Sequence, residues 1–219
     1  FDQCSIAILD CDGTVMFSQT ESGKRMQTQQ ILPMIDAALN ETRLKLADIQ
    51  ALIFNRGPCA FRGIRINTGV VQVLSIAHDI PCVGVSSLQA IAQSAFTRYG
   101  CTEVYSALDA RMQQVYFGQY ALIDGVMQPV FDEQNADTEQ LLDYDSHTEL
   151  NVAIAGNGSG LLSLHDEQAI YEDINPEATI IGQLGIAQFR AEGGTDAAGA
   201  LPKYLRHQAW KTLKEQGKA

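Results

Sequence analysis

Between Gln50 and Gly100 short apolar runs alternate with longer runs of helical spacing, and this alternation narrows the fold more than any other feature of the chain. "ALIF" and "IPCVGVSS" read as strands. The stretch from about Gly63 to Ala77 and "LQAIAQSAFTRYG" read as helices. A strand that returns to its sheet through a helix lies parallel to the strand before it, so the pattern predicts a parallel α/β arrangement. Ser86 or Ser87 is placed to cap the second helix, and Gly100 to stop it.

The first fifty residues read differently. "SIAIL" and "TVMFS" flank "DCDG", and Asp12-Gly13 is a tight-hairpin signal. A hairpin alone is barely stable in water, so a further strand is expected just upstream of Phe1. Lys24 to Asn40 has helical spacing, with Thr28, Ile31, Leu32, Ile35, Ala38 and Leu39 on one face. Pro33 inside it predicts a kink or a late start. "TRLKLADIQ" is a connector.

Past Gly100, "EVYSALDA" and "QQVYFGQYAL" read as antiparallel strands joined at Ala110-Arg111. Val104, Ser106 and Leu108 fall on one face, and Tyr105, Ala107 and Asp109 on the other. "GVMQPVF" adds a piece. "DTEQLLDY" reads as a short helix capped by Asp137 or Thr138. "NVAIAGNGSG" is a strand into a glycine turn, and "PEATIIGQLGIAQFRAEGG" a helix from near Pro176 to Gly193-Gly194. The tail is loop, then helix or disorder. A boundary near Gly100 divides the chain into lobes 1–100 and 101–219.

The 219 residues carry a net charge of −11, which disfavours a direct grip on nucleic acid. No apolar run approaches the roughly 20 residues of a membrane span, and "FDQCSIAILDCDG" does not read as a secretory signal. Five cysteines without C-x-x-C spacing do not make a disulfide framework; Cys4, Cys82 and Cys101 read as small core residues. His78, His147, His165 and His207 are scattered, and no metal motif is present.

The candidate site is "NRGPCAFRGIRI", Asn55 to Ile66, between a strand and a helix. Gly57 and Gly63 allow close backbone approach, Arg56, Arg62 and Arg65 bring positive charge, and a helix start near Gly63 favours an anion. An ordinary turn with solvated arginines accounts for the same residues. The spacing is not that of a P-loop, because Ile64-Arg65 stands in place of Lys-Ser/Thr. "AGNGSG" holds Gly156 and Gly158 in a second turn, which departs from G-x-S-x-G at Asn157. Asp109 and Arg111 read as an ion pair at a hairpin end, and Ser86-Ser87 as caps. No complete catalytic set is present.

"QQILPMIDAAL", "NRGPCAFRGIRI", "IPCVGVSSLQAIA", "ALDARMQQVYFGQY" and "ALPKYLR" stand in the order seen in the TsaB, or YeaZ, family of bacterial tRNA threonylcarbamoyladenosine biosynthesis proteins, which the chain resembles over nearly its whole length. The family's turn reads G-R-G-P-G-[SA]-F-[TS]-G-[LI]-R; here Cys59 and Arg62 depart from it. The resemblance implies a two-lobed actin/Hsp70-like ATPase fold in a non-catalytic paralogue, opened by a strand like "LALDTS" that would precede Phe1. It implies a cytoplasmic protein that supports the catalytic paralogue TsaD, with the ATPase TsaE, in placing threonylcarbamoyl on adenosine 37 of tRNA. Contact with tRNA would be only indirect, and the chain would form a homodimer when TsaD is absent.

TsaD carries a stretch like V-N-H-x-x-[GA]-H that holds a metal. The aligned stretch here is "VSSLQAI", with Ser87 and Ile91 in place of the histidines; isoleucine is no ligand and serine a poor one. The expectation is therefore a pseudoenzyme with no required cofactor. Arg56, Gly57, Pro58, Gly63, Arg65, Asp109, Gly156 and Gly158 would be the remnant of a nucleotide site, with room for weak ATP or ADP binding. The first two helices would offer the partner surface through Met26, Gln30, Pro33, Met34, Ala37, Val70, Val73 and Leu74. The alternatives are an ATP-dependent phosphotransferase of the same fold, using Asp109, and a peptidase-like protein acting on TsaD.

Overall fold

The computed structural model describes residues 3–23, 26–58, 61–130, 138–149 and 151–206; for residues 26–28 and 61–62 it describes the backbone only. The expected hairpin forms: β1 (Gln3–Leu9) and β2 (Val15–Ser22) pair antiparallel, with Gln3 opposite Ser22. Asp10 sets the turn. Its Oδ1 accepts from the Asp12 and Thr14 N–H groups, both at 2.9 Å, while Gly13 takes φ +86°.

Helix α1 (Met26–Thr42) is continuous through Pro33, so the proline sits inside the helix and does not mark a late start. Proline removes one donor and crowds the carbonyl four residues back. Pro33 and Gln29 both lie on the exposed face, where water can serve that carbonyl. The inward face is Ile31, Met34 and Ala38, whereas Leu32, expected inside, is 59% exposed.

Strands β3 (Leu52–Gly57) and β4 (Cys82–Ser86) are parallel, with α2 (Phe61–His78) as their crossover and α3 (Ser87–Tyr99) following, as the alternation predicted. β3 runs on through Asn55, Arg56 and Gly57, so these residues belong to the strand and not to a loop. The caps of α3 are the expected ones. Ser86 Oγ accepts from the N–H groups of Leu88 and Gln89 at 3.1 and 3.4 Å, and Gly100 closes the helix at φ +72°.

Among the described residues β1–β2 and β3–β4 are two-stranded, and the large sheet has the order β10-β9-β5-β6-β7. β5 (Glu103–Arg111) and β6 (Gln114–Ile123) form the expected antiparallel pair, turning at Arg111–Gln113. β7 (Val126–Pro129) covers one half of the outer edge of β6, and β8 (Glu139–Asp143) the other half. β8 is the stretch expected to be a short helix; Asp137 lies outside the described residues. The edge of β6 that β7 leaves open takes it as a strand, and pairing overrides local propensity there. β9 (Ala153–Ala155) and β10 (Ile170–Tyr171) run parallel on the far side. Both faces are covered: Leu88 and Ile91 of α3 pack with Val104 and Leu108, while Tyr105 and Ala107 pack with Ile154 and Leu162.

Helix α4 (Ala178–Glu192) comes late in sequence but packs on β1 and β3. Gly182 and Gly185 permit this: a Cβ on them would lie 2.7 Å from Leu9 and 2.2 Å from Ile53. Beyond the helix, Thr195 exchanges both backbone hydrogen bonds with Cys82, at 2.8 and 2.9 Å.

Candidate functional site

β3 and β4 end side by side, Gly57 opposite Ser86. In open parallel sheets this carboxyl edge is where ligands sit. Asn55 Oδ1 accepts from the Gly57 N–H at 2.8 Å and from Ser87 Oγ at 2.7 Å, so it ties the end of β3 to the start of α3. Gly57 has φ +93°, and Pro58 is buried. The Arg56 carbonyl accepts from the Lys203 N–H at 2.8 Å. The Arg56 side chain lies over Gly84, where a Cβ would come within 3.2 Å of it. Its Nε is buried with no hydrogen-bond partner.

The edge is held from beneath by Glu139 on β8, which is 4% exposed. Its Oε1 accepts from Ser86 Oγ and, at 2.7 Å, from Tyr120 Oη. Lys203 Nζ lies 3.1 Å from Oε2, an ion-pair contact that lacks hydrogen-bond geometry. Burial, then the neighbouring Glu139 carboxylate, pushes the Tyr120 phenol well above its ordinary pKa. Ser86 therefore both caps α3 and donates to a buried carboxylate. That employment leaves no nucleophile of the kind two adjacent serines at a strand end suggest.

A phosphate group would find an incomplete cradle here. The Gly57 N–H is taken by Asn55 and Pro58 has none, so among the described residues the first turn of α2 and the Arg56 guanidinium are what remain. Cys59 lies outside the described residues, as does the side chain of Arg62. Gly63 sits in α2 on the wall of a cavity. Arg65 points elsewhere: its Nε donates to Tyr204 Oη at 3.2 Å, and its guanidinium carbon lies 6.0 Å from that ring's centre.

Asp109, Gly156 and Gly158 come together at the end of β5. Asp109 pairs with the exposed Arg111 at 2.9 Å and accepts from Tyr144 Oη at 2.8 Å, and its own N–H donates to Asn157 Oδ1 at 3.1 Å. The hydrogen bond to Asp109 is the main cause of a raised Tyr144 pKa. A Cβ on Gly156 would stand 2.3 Å from the Ala107 carbonyl oxygen, and one on Gly158 2.7 Å from the Leu108 backbone. These glycines let the second turn press against β5. Ser87 and Ile91 are fully buried, and among the described residues no three His, Cys, Asp or Glu side chains gather as metal ligands would.

Of the partner-surface residues, Pro33, Ala37 and Val73 are exposed, Val73 by 64%. Gln30, Val70 and Leu74 are half-buried, and Met34 sits in the core with Cys4 and Ile31. The Met26 side chain lies outside the described residues. Leu32 and Ile76 of the same two helices are 59% and 76% exposed, although both have the look of core positions in sequence. Glu139 was missed because its segment read as a helix. Lys203 stood in plain view in "ALPKYLR", with no partner in sequence to give it meaning.

The fold and the strand-edge geometry define an α/β protein of the class described by a family model, "TsaD: tRNA N6-adenosine threonylcarbamoyltransferase", which matches residues 15–211. A protein of Haemophilus influenzae, the tRNA threonylcarbamoyladenosine biosynthesis protein TsaB, is 31% identical over 97% of this chain and 93% of its own length. The Escherichia coli TsaB is 42% identical, in a match spanning 54% of this chain and about half (51%) of that protein. The structure of YeaZ from Pseudomonas aeruginosa superposes with TM-score 0.81 at 34% identity, covering 93% of this chain and 95% of the other. The chain belongs to the TsaB (YeaZ) family, and its α/β fold is that of the YeaZ structure. No described helix is long and apolar enough to cross a membrane.

Proposed function

We propose that this chain serves tRNA threonylcarbamoyladenosine synthesis as a binding subunit that supports a TsaD-type catalytic paralogue. The observation that carries this reading is the employment of the strand-edge side chains. Ser87 is buried against Asn55, Ser86 is engaged with Glu139, and Ile91 fills the core where a ligating side chain would be needed. What the molecule offers outward is an apolar surface on the adjacent helices α1 and α2, with Leu32, Pro33, Val73 and Ile76 exposed. Exposed apolar groups gathered on neighbouring helices are the mark of a protein interface. The same surface pairs two copies of the chain when the paralogue is absent, TsaE joins the assembly, and tRNA is met through the complex.

The test is chromatography with light scattering on the chain alone and mixed with TsaD of the same organism. A homodimer that yields to a mixed complex is expected. Leu32→Asp with Val73→Asp should weaken that complex at least about 100-fold, roughly 2.7 kcal/mol. Undiminished pairing by a folded double variant overturns the surface. No complex at all overturns the function.

A further inference from the structure

The net charge of −11 is unevenly spread along the chain. Residues 203–219 hold five of the 15 Lys and Arg residues, namely Lys203, Arg206, Lys211, Lys214 and Lys218. They hold one of the 26 Asp and Glu residues, Glu215. Tyr204 and the single tryptophan, Trp210, are interleaved with these cations. Residues 207–219 lie outside the described residues. The described part, 203–206, shows where the segment is anchored.

That part lies along a basic side of the molecule. The Lys203 N–H donates to the Arg56 carbonyl at 2.8 Å. Arg65, exposed on α2, donates from Nε to Tyr204 Oη at 3.2 Å. Arg206 reaches the β5–β6 turn. Its Nη2 donates to the Arg111 carbonyl at 3.2 Å and to Gln114 Oε1 at 2.7 Å, and its Nη1 lies 3.4 Å from Met112 Sδ. The Arg111 side chain on that turn is 85% exposed.

The partners of these cations differ in charge. Lys203 pairs with Glu139 and Arg111 with Asp109. Arg206 is held by a carbonyl, an amide oxygen and a thioether, all neutral, and makes no ion pair among the described residues. The acids on this side already receive protein donors: Glu139 and Asp109 in those pairs, Asp143 from Gln114 Nε2 at 3.1 Å. A positive patch therefore stands on an acidic body, and from Arg206 onward the chain adds Lys211, Lys214 and Lys218. A row of cations interleaved with aromatic rings matches a row of phosphates with base faces beside it. An acidic protein segment supplies carboxylates but no such repeat. We infer that residues 203–219, with Arg65 and Arg111, form a contact surface for the phosphate backbone of RNA. The inference rests on the proposed function for the identity of that RNA, a tRNA, and departs from the purely indirect contact that the resemblance implies. Contacts to phosphate carry no base sequence, so different tRNAs are held alike.

The test is fluorescence anisotropy of an unmodified tRNA transcript, titrated between about 50 and 200 mM salt with the chain alone and with its complex with TsaD of the same organism. In the complex, Lys211→Ala with Lys214→Ala and Lys218→Ala should weaken tRNA binding at least about tenfold. It should also flatten the slope of log K against log salt by roughly 2, the share of three phosphate contacts. Arg206→Gln, which removes one charge, should flatten the slope by about 0.7. The chain alone should bind tRNA with a Kd of about 10⁻⁴ to 10⁻⁶ M and lose this binding in the triple variant. The surface is thus read even where no mixed complex forms, and its failure is distinct from failure of the proposed function. Unchanged affinity and slope in the triple variant overturn the inference, as does the absence of tRNA binding by chain and complex alike. A triple variant that pairs less well with TsaD, while its complex holds tRNA as before, marks a contact for an acidic protein surface and also overturns it.

Discussion

Glu139 concentrates more structural consequence than any other single residue of the site. It is a buried carboxylate that receives Ser86, Tyr120 and Lys203 from three separate parts of the chain. Removing one partner of a buried pair costs about 3–5 kcal/mol when both members are fully buried. Lys203 keeps 27% of its side chain exposed, so Lys203→Met should cost roughly 2–3 kcal/mol in urea unfolding. Combining it with Glu139→Leu should recover most of that loss, because replacing both charges removes the stranded one. Tyr120→Phe should cost about 1–3 kcal/mol at pH 7, since it takes a donor from a buried carboxylate. The Tyr120 phenol is raised in the folded state. Its stabilising contribution is therefore complete below the unfolded value of about 10 and is lost as pH rises through the folded value. Alkaline denaturation should show this as a falling limb above about pH 10, flatter in Tyr120→Phe. At this scale the sequence already pointed to Gly57 and to the cap at Ser86. It could not pair Glu139 with Lys203, because 64 positions separate them and no local pattern joins them.

Among the elements, α4 depends on what its glycines omit. Gly185→Ala should improve helix propensity yet lower stability by about 1–3 kcal/mol, because the new methyl meets three atoms of Ile53 within 2.9 Å. Thermal unfolding of the variant reads the sign directly, and a rise in Tm would show that Ile53 moves aside freely. Pro33→Ala should do the reverse. Pro33 is exposed inside α1, and restoring its N–H should add roughly 1–3 kcal/mol. The elements read correctly from sequence share one property, that their signals are local. The caps of α3 and the Asp10–Gly13 turn are of this kind. β8 failed the local reading because an open edge of β6 decided its conformation, and Leu32 failed it because only packing shows which flank of a helix is covered.

For the whole molecule, the segment 200–206 works as a strap. Ala200 accepts from Gln72 on α2 at 3.0 Å, Lys203 reaches both β3 and β8, and Arg206 donates to Gln114 Oε1 at 2.7 Å and to the Arg111 carbonyl at 3.2 Å. Arg206→Ala should speed hydrogen exchange within residues 201–206 while moving Tm little, since these contacts are largely at the surface. The sequence by itself determined the α/β class, the order of most strands and helices, the family, and the caps of α3 at Ser86 and Gly100. Each follows from short-range facts: apolar spacing, caps, and motif residues a few positions apart. Only the tertiary structure decided that Glu139 is buried beneath the strand ends, that α4 closes over β1 and β3, and that Leu32 and Ile76 face outward. These depend on which distant segments meet, and burial and charge pairing act through space without regard to separation along the chain.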